Sequence, residues 1–332
     1  MTDLTIIMPC YNKESYIAEA LDSVFAQRTR FSFCVVVVDD CSTDRTLEVA
    51  ERYAASHPGV VSILKSPSNQ GLYRNVLRAY AATKTPYFCV LDPDDYWISD
   101  SHVENALSFL ATHPEFTIYS AEIQKLSPDG KTALCGFPHE ERDSDFGDYL
   151  RSEATIAFTQ TCVYRNVVFG KGLPRELAEY DSPTKERSLR GDSFRNFLHI
   201  REGKAHYSPS VEGCYRLTDA GVFQGLGRLG QIVLNAQLLA DLWRYDGCRH
   251  YELLLQSRRM FWAACDSAFR DLSEKDVAEA RRIAMLGALA TLQDLYAREA
   301  DALDDCQARC LAPMHRLRFA GYRSLRRKGI VK

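Results

Sequence analysis

The feature that most constrains the fold is a fourfold alternation of short apolar segments with segments of helical periodicity in the first third of the sequence. The apolar segments are strand-like and lie at residues 4–8, 33–38, 60–64 and 87–91. Parallel strands that follow one another in a chain need a crossover connection, which a helix usually provides. The alternation therefore predicts an α/β fold with a doubly wound, mainly parallel sheet.

Polar side chains collect at the carboxyl ends of three of these predicted strands. Tyr11 and Asn12 follow the first strand, Asp39 and Asp40 follow the second, and residues 92–95 follow the fourth. In sheets of this type the carboxyl ends of the strands lie along one edge, where ligands bind. We therefore expect the three loops to form a single site.

The loop after the fourth strand is strongly acidic. Asp92, Asp94 and Asp95 occur within four positions, and Pro93 stiffens the turn between the first two. Like charges this close raise each other's pKa unless a positive group joins them. Mg²⁺ or Mn²⁺ suits this role, because each takes hard oxygen ligands and can keep positions open for phosphate oxygens. A solvated acidic turn that caps the following helix is the alternative.

The sequence has no Gly-x-Gly-x-x-Gly after the first strand and no Gly-Lys-Ser/Thr loop. It therefore lacks the glycine-rich phosphate cradle of dinucleotide enzymes and P-loop NTPases. Phosphate would be neutralised instead by a metal on the acidic loop and by nearby Arg or Lys. A base could stack on Tyr11, and Asp40 could accept a hydrogen bond from an imide N–H. Helix capping by Asp39 and Asp40 and strand-end packing of Tyr11 are the alternatives.

Five motifs occur in a fixed order in this region. They are Pro-Cys-Tyr-Asn at 9–12, Val-Asp-Asp-Cys-Ser-Thr-Asp-Arg-Thr at 38–46, Asn-Gln-Gly at 69–71, Arg-Asn at 74–75 and Leu-Asp-Pro-Asp-Asp at 91–95. In order and spacing they resemble the family 2 glycosyltransferases, which have the GT-A fold and invert the anomeric centre. The resemblance is dense over residues 3–115 and thinner to about Phe223.

The resemblance implies roles for individual residues. The side chains that would bind the nucleotide, by lining the base, holding it or facing the ribose, are Pro9, Tyr11, Asp40, Arg74 and Asp92. Asp94 or Asp95 would hold the metal, Mn²⁺ or Mg²⁺, under the diphosphate.

The chain is less regular between residues 116 and 225. Residues 117–121 and 122–126 are predicted to form a hairpin with the turn at 127–130. Residues 136–150 indicate a surface loop with a short helix, 157–164 a further strand, and 173–190 a mobile loop.

A helix is predicted to begin at Gly191-Asp192 and to end near Gly203. The helix dipole alone favours an acid in this first turn. In the resembled family an Asp at this place is the general base, so the resemblance implies that Asp192 is catalytic. Gly191 replaces the more usual first acid, and Thr218 stands where the family often has a metal-binding His.

Beyond residue 225 the sequence leaves the resemblance and predicts helices at about 229–245, 251–269 and 274–298, with a shorter piece to 311. This region, 226–315, is expected to cover the catalytic domain, to form a homo-oligomer or to approach a membrane. Residues 316–332 hold seven Lys or Arg and no acid, interleaved with apolar residues. Such a tail suits an anionic membrane surface, and a solvated tail is the alternative. Residues 1–225 form the predicted catalytic domain.

The overall composition excludes several classes of protein. A net charge of −3 over 332 residues argues against bulk nucleic-acid binding. No apolar run approaches the roughly 18 residues of a transmembrane helix. The N-terminus leads into the first strand without a secretion signal, and the 11 cysteines form no Cys-x-x-Cys pair. We expect a cytoplasmic protein, with peripheral contact at the inner face of the membrane through the tail.

The sequence thus predicts a metal-dependent, inverting glycosyltransferase that moves a hexosyl or N-acetylhexosaminyl group from a nucleotide sugar, taken as a UDP-sugar. The acceptor would be a glycan or lipid-linked glycan of a surface polysaccharide. A sugar-nucleotide nucleotidyltransferase is a second candidate, although it would usually carry a glycine-rich N-terminal loop with a basic residue. A non-catalytic nucleotide- or glycan-binding protein is a third, against which the intact acidic loop and Asp192 argue.

Overall fold

The computed structural model describes residues 2–174, 192–218 and 227–260. The chain divides into two compact units, Met1–Leu226 and Gly227–Lys332. In the described part of the first unit, ten strands form one sheet: β1 (Leu4–Cys10), β2 (Phe33–Asp39), β3 (Val61–Lys65), β4 (Tyr87–Val90), β5 (Tyr96–Trp97), β6 (Phe116–Leu126), β7 (Thr132–Leu134), β8 (Arg142–Ser144), β9 (Val163–Arg165) and β10 (Lys204–Arg216). The helices described there are α1 (Ile17–Phe25), α2 (Thr46–Ser56), α3 (Leu72–Ala82), α4 (His102–Thr112), α5 (Phe146–Arg151) and α6 (Asp192–Ile200).

The strand order places the first four strands side by side, and the next strand in the sheet, β9, runs in the opposite direction. The order is β3-β2-β1-β4-β9-β6-β10-β5, with β7 on β6 and β8 on β10. Strands β1 to β4 pair in parallel, whereas β9 is antiparallel to both of its neighbours, β4 and β6. Two reversals cancel, so β6 and β10 run in the same direction as β1. The predicted α/β class with a mainly parallel sheet is confirmed.

The central strand β1 shows why this part of the sequence folds as predicted. All seven of its residues are buried, as expected for a parallel strand that is covered on both faces. On one face, Leu4, Ile6 and Met8 belong to a core that α1, α2 and α4 complete. Among the residues from these helices are Leu21, Val49 and Leu107. This core fixes the end of β1, from which the first loop of the candidate site departs.

One prediction for residues 116–165 was wrong, and a second was confirmed only in part. Residues 117–126 do not fold back as a hairpin, because β6 is one continuous strand that pairs with β10 along its length. The turn at residues 127–130 joins β6 to β7 instead. Of the strand predicted over 157–164, only the last two residues are in a strand, β9. A short 3-10 turn at Thr159–Thr161 precedes it, and Trp97 Nε1 fixes this turn by donating to the carbonyl of Gln160 at 2.6 Å.

A buried carboxylate ties β10 to the segment that follows the acidic loop. Glu212 is 1% exposed, and its carboxylate lies 2.6 Å from His102 Nδ1, 2.7 Å from Asn105 Nδ2 and 3.2 Å from the Tyr119 hydroxyl. Its main-chain carbonyl accepts the N–H of Ile98 at 3.0 Å. The cluster therefore holds α4 and the end of β5 against β10.

We expect Glu212→Ala to lower the free energy of unfolding by about 3–5 kcal/mol, because the buried side chains of His102 and Tyr119 would lose their acceptor together with Asn105. Urea unfolding followed by circular dichroism measures this change. Glu212→Gln is the matched control, since it keeps the size and one acceptor oxygen and should cost less. Equal unfolding midpoints for the parent and Glu212→Ala would contradict the assignment.

The second unit is described over residues 227–260. It contains α7 (Gly227–Tyr245) and a further helical segment over 251–260. The predicted helix 274–298, the basic tail 316–332 and all but two residues of the predicted loop 173–190 lie outside the described residues. None of the helices that the structure describes combines the length and apolarity needed to cross a lipid bilayer.

Candidate active site

The loops after β1, β2 and β4 meet at one edge of the sheet, as the strand order requires. The N–H of Asp40 donates to the carbonyl of Cys10 at 2.9 Å, and the N–H of Leu91 donates to the carbonyl of Ile7 at 2.9 Å. Strand β1 thus carries a neighbouring strand end on each side. This is the point at which the strand order reverses, where ligands of open α/β sheets bind.

The first two loops are hydrogen-bonded to each other. The side-chain oxygen of Asn12 accepts the N–H of Thr43 at 2.8 Å, and the N–H of Asn12 donates to Ser42 Oγ at 3.1 Å. Asn12 and Cys41 both adopt left-handed backbone conformations, with φ of 53° and 62°. Such conformations cost energy in residues other than glycine and collect at functional sites.

The predicted base-binding residues differ in their accessibility. Tyr11 is 44% exposed, so its ring is available for stacking. Pro9 is buried within β1 beside Val38 of β2. Arg74 is exposed near the start of α3.

The carboxylate of Asp40 already accepts hydrogen bonds from within the protein. It is 3% exposed, and its two carboxylate oxygens accept the N–H groups of Gln70 at 2.8 Å and Gly71 at 2.9 Å. Gly71 has a φ of 83° and directly precedes α3. Asp40 therefore orders the turn before α3. A carboxylate has about four acceptor positions, so these two bonds do not exhaust its capacity to accept hydrogen bonds.

Several carboxylates lie near the buried thiol of Cys10, at the end of β1. Burial raises the pKa of the Cys10 thiol well above its usual range, and the nearby charges of Asp39, Asp92 and Asp94 raise it further. The structure thus brings together carboxylates from the second and fourth strand ends. Asp92 is half-buried, and its carbonyl accepts the N–H of Asp95 at 3.0 Å, which closes the turn.

Asp94 and Asp95 have different surroundings. Asp94 is half-buried, and its carboxylate pairs with Lys13 Nζ at 2.5 Å. Asp95 is 2% exposed, and its two oxygens accept hydrogen bonds from the side chain of Gln160 and from the main-chain N–H of Arg216 at 2.8 Å. Burial raises the pKa of Asp95 well above its usual range, and the charges of Asp92 and Asp94 add to this. The geometry favours Asp94 as the metal ligand of the predicted pair.

Arg216 clamps the acidic loop from the end of β10. Besides the main-chain bond to Asp95, its Nε donates to the carbonyl of Asp94 at 3.0 Å. The guanidinium also pairs with Glu19 of α1 and lies 5.3 Å from the ring centre of Tyr16. Sequence reasoning assigned no role to Arg216. It missed Lys13, which directly follows the Pro-Cys-Tyr-Asn motif, and Gln160, for which the sequence carries no signal.

The predicted general base begins a helix. Asp192 is the first residue of α6, as the sequence indicated, but its side chain lies outside the described part of the structure. Thr218 is half-buried, two residues beyond β10. Its position after β10 puts it at the sheet edge that carries the acidic loop.

The residues present fit a divalent cation that enters with its ligand. Within residues 2–174, 192–218 and 227–260, no group of three or more His, Cys, Asp or Glu side chains is arranged to hold a metal ion. The Asp94 carboxylate, however, offers hard oxygen and already attracts the Lys13 ammonium at 2.5 Å. Mg²⁺ is commonly bound by one or two carboxylates together with substrate phosphates.

Residues 5–158 match the protein family described as Glycosyl transferase family 2. This part of the chain belongs to glycosyl transferase family 2. The resemblance drawn from the five motifs is therefore confirmed, and the matched residues include the loops after β1, β2 and β4.

Two relatives illustrate the similarity. An uncharacterized protein of Mycobacterium tuberculosis, Rv1520, is 33% identical over 232 residues, which cover 66% of this chain and 60% of the relative. The poly(ribitol-phosphate) beta-N-acetylglucosaminyltransferase TarS of Staphylococcus aureus is 38% identical over 115 residues, or 34% of this chain and 20% of TarS. The chain thus matches less than two thirds of the length of either relative.

Solved structures extend the similarity to most of the chain. A structure of residues 1–349 of TarS in complex with UDP-GlcNAc has a TM-score of 0.58 and 17% identity, and covers 88% of this chain and 81% of that one. The mannosyltransferase PcManGT from Pyrobaculum calidifontis, in complex with GDP-Man and Mn²⁺, has a TM-score of 0.51 and 20% identity, with coverages of 87% and 86%. The predicted GT-A type of fold is confirmed.

Proposed function

We propose that the protein is an inverting glycosyltransferase that uses a nucleotide sugar, taken as a UDP-sugar, and a glycan or lipid-linked glycan as acceptor. The observation that carries this proposal is the meeting of three loops at the switch point of the sheet. They present an exposed aromatic ring at Tyr11, a carboxylate at Asp40 and the acidic group at residues 92–95. A nucleobase would stack on Tyr11 and donate to Asp40, and the acidic group would lie at the ribose and, through a metal, at the diphosphate.

The choice of UDP rests on the likeness to TarS, which is bound to UDP-GlcNAc in one of its structures. PcManGT, of similar fold, is bound to GDP-Man. The fold alone therefore does not select a nucleotide, and the base contacts of Tyr11 and Asp40 must do so. Synthesis of a surface polysaccharide in the cytoplasm is the setting that we propose for this reaction.

A divalent metal would be held by Asp94 and by phosphate oxygens of the donor, with Asp92 at the ribose. When bound, Mn²⁺ or Mg²⁺ would offset the charge that develops on the departing diphosphate. Lys13 keeps the Asp94 carboxylate neutralised in the state described here. Asp95 would position the acidic loop and would not bind the metal, because its hydrogen bonds to Gln160 and Arg216 fix the backbone of the loop.

The reaction itself needs a base on the side of the acceptor. In an inverting transfer, the acceptor hydroxyl attacks the anomeric carbon from the face opposite the departing nucleotide. A carboxylate must take the proton of this hydroxyl as the new bond forms. Asp192, at the start of α6, is the residue that we propose for this role.

Binding of free nucleotides tests the proposal most directly. Tyr11→Ala should weaken UDP binding by about tenfold or more, because base stacking on an aromatic side chain contributes roughly 1–3 kcal/mol. Isothermal titration calorimetry with UDP, GDP, CMP and dTDP measures this. Tyr11→Phe is the matched control, since it keeps the ring and should bind UDP like the parent.

The outcomes separate two kinds of error. Affinity of the parent for GDP or CMP but not for UDP would overturn the choice of donor. Absence of affinity for all four nucleotides, with and without Mn²⁺, would overturn the assignment as a glycosyltransferase. Tyr11 is a better probe than Asp40, because Asp40→Ala would also release the N–H groups of Gln70 and Gly71.

A further inference from the structure

A group of aromatic side chains lies on the other side of the acidic loop from the nucleotide-binding loops. We call Phe137, Phe158 and Tyr215 the aromatic platform. The ring centre of Phe158 lies 5.5 Å from that of Phe137 and 5.9 Å from that of Tyr215. Among the side chains that the structure describes, Tyr11 and Phe158 are the two most exposed aromatic ones, at 44% and 37%. We propose that the aromatic platform binds a sugar ring of the acceptor, an inference that rests on the proposed function.

The strand order places the platform at the correct edge of the sheet. Phe158 immediately precedes the turn that leads into β9, and Tyr215 lies at the carboxyl end of β10. Because β9 runs against β4 while β10 runs with it, both positions lie at the edge that carries the acidic loop. The platform and the proposed nucleotide-binding loops therefore lie at the same edge of the sheet.

The strand order also separates the platform from the nucleotide. The acidic loop follows β4, with β1 and β2 on one side of it and β9, β6 and β10 on the other. The base and ribose contacts come from the loops of β1 and β2. An inverting transfer needs the acceptor to approach the donor sugar from the face away from the nucleotide. The platform occupies the side from which such an approach comes.

Two direct connections link the platform to the acidic loop. Phe158 is two residues from Gln160, whose side chain bonds to Asp95. Tyr215 precedes Arg216, which bonds to Asp94 and Asp95. The turn before β9 and the end of β10 therefore carry both the platform and the side chains that fix the acidic loop. The sheet thus sets the position of the platform relative to this loop.

The chemistry of the platform suits a carbohydrate. A sugar ring has a face of C–H groups, which carry partial positive charge, and a rim of hydroxyls. The faces of aromatic rings are electron-rich and attract such C–H groups. Lys125 Nζ lies 6.0 Å from the Phe158 ring, and Lys125 pairs with Tyr215 across the β6–β10 ladder, so a hydrogen-bond donor stands at the edge of the platform.

The rings are also held in place before any ligand arrives. The N–H of Phe137 donates to the carboxylate of Glu122 at 3.1 Å, and its ring lies 5.7 Å from the buried ring of Tyr207. Aromatic side chains lose little conformational entropy on binding because they have few rotatable bonds. A platform that is fixed in this way would add affinity for the acceptor without contacting the donor nucleotide.

Saturation-transfer NMR with three disaccharides, lactose, maltose and N,N′-diacetylchitobiose, tests the inference in the presence of saturating UDP and Mn²⁺. We expect at least one disaccharide to bind the full chain, and we expect Phe158→Ala to weaken that binding about tenfold, as one lost aromatic contact predicts. Phe158→Tyr should restore it, whereas Phe158→Leu should not, because only the aromatic ring offers a face for stacking. Leu134→Ala, at a site that is 51% exposed on β7, controls for loss of exposed apolar surface.

Calorimetric UDP affinity is measured for every variant and should not change. If the parent binds UDP but none of the disaccharides, or if Phe158→Ala binds them as the parent does, the platform is not an acceptor site. If Phe158→Ala converts a dimeric parent into a monomer in sedimentation velocity, the platform is an interface between copies of the chain and the inference is overturned. A parent that binds no nucleotide would instead contradict the proposed function, so the two failures are distinct.

Discussion

Asp192→Asn is expected to lose sugar transfer by at least about 10², because a positioned general base typically contributes 10²–10⁴ in rate. The variant should keep its fold and its affinity for UDP, since Asp192 starts a helix and is remote in sequence from the nucleotide-binding loops. Initial rates with a donor that the parent hydrolyses or transfers, together with UDP calorimetry, measure both properties.

The control for this prediction is Glu186→Gln, which removes another acid shortly before Asp192 in the sequence. Near-parent rates for Asp192→Asn, with a large loss for Glu186→Gln, would show that the base is Glu186 and that the assignment to Asp192 is wrong. The anomeric configuration of the product is a separate test, made by NMR at early times. Retention of the donor configuration would rule out a single displacement and with it the need for this base.

Asp94→Ala is expected to abolish most transfer activity while leaving the fold intact. The side chain is half-buried, and its described partner is Lys13, so its removal costs little packing. The expected loss arises because Asp95 is buried and bonded to Gln160 and Arg216, which leaves Asp94 as the member of the predicted pair that a cation can reach. Mn²⁺ binding in the presence of UDP, followed by electron paramagnetic resonance, should weaken in parallel with activity.

Two controls sharpen the interpretation of Asp94→Ala. Asp100 is exposed and pairs with Arg28 at 3.1 Å, so Asp100→Ala should retain activity and Mn²⁺ binding. Asp95→Ala should behave differently from Asp94→Ala by lowering the melting temperature, because two buried hydrogen bonds to Asp95 would be lost. Full activity of the parent in excess EDTA would contradict the metal requirement altogether.

The sequence predicted the first half of the fold well for a physical reason. Parallel strands that are buried on both faces appear as continuous apolar runs, so β1 to β4 could be placed to within about two residues at each end. The site loops followed from topology, because the carboxyl ends of parallel strands share an edge.

The contacts that shape the acidic loop could not be predicted in the same way. Arg216 lies 121 residues from Asp95, and Gln160 lies 65 residues from it, so no periodic pattern joins them. The continuous strand β6 was mistaken for a hairpin because its partner β10 lies far along the chain. The two hydrogen bonds that the Asp40 carboxylate accepts could not be predicted either, because their donors are main-chain N–H groups, which carry no sequence signal.

The position of β9 between β4 and β6 has a consequence for how this protein can be divided. The residues that match the family end at 158, but β9 and β10 both come later in the chain. A fragment that stops at residue 158 would have a gap in the middle of its sheet rather than a missing edge, and it would lose both Gln160 and Arg216. The smallest piece able to present a formed acidic loop therefore extends at least to Arg216, so a gene fusion or truncation that respects the family boundary would separate the loop from its supports.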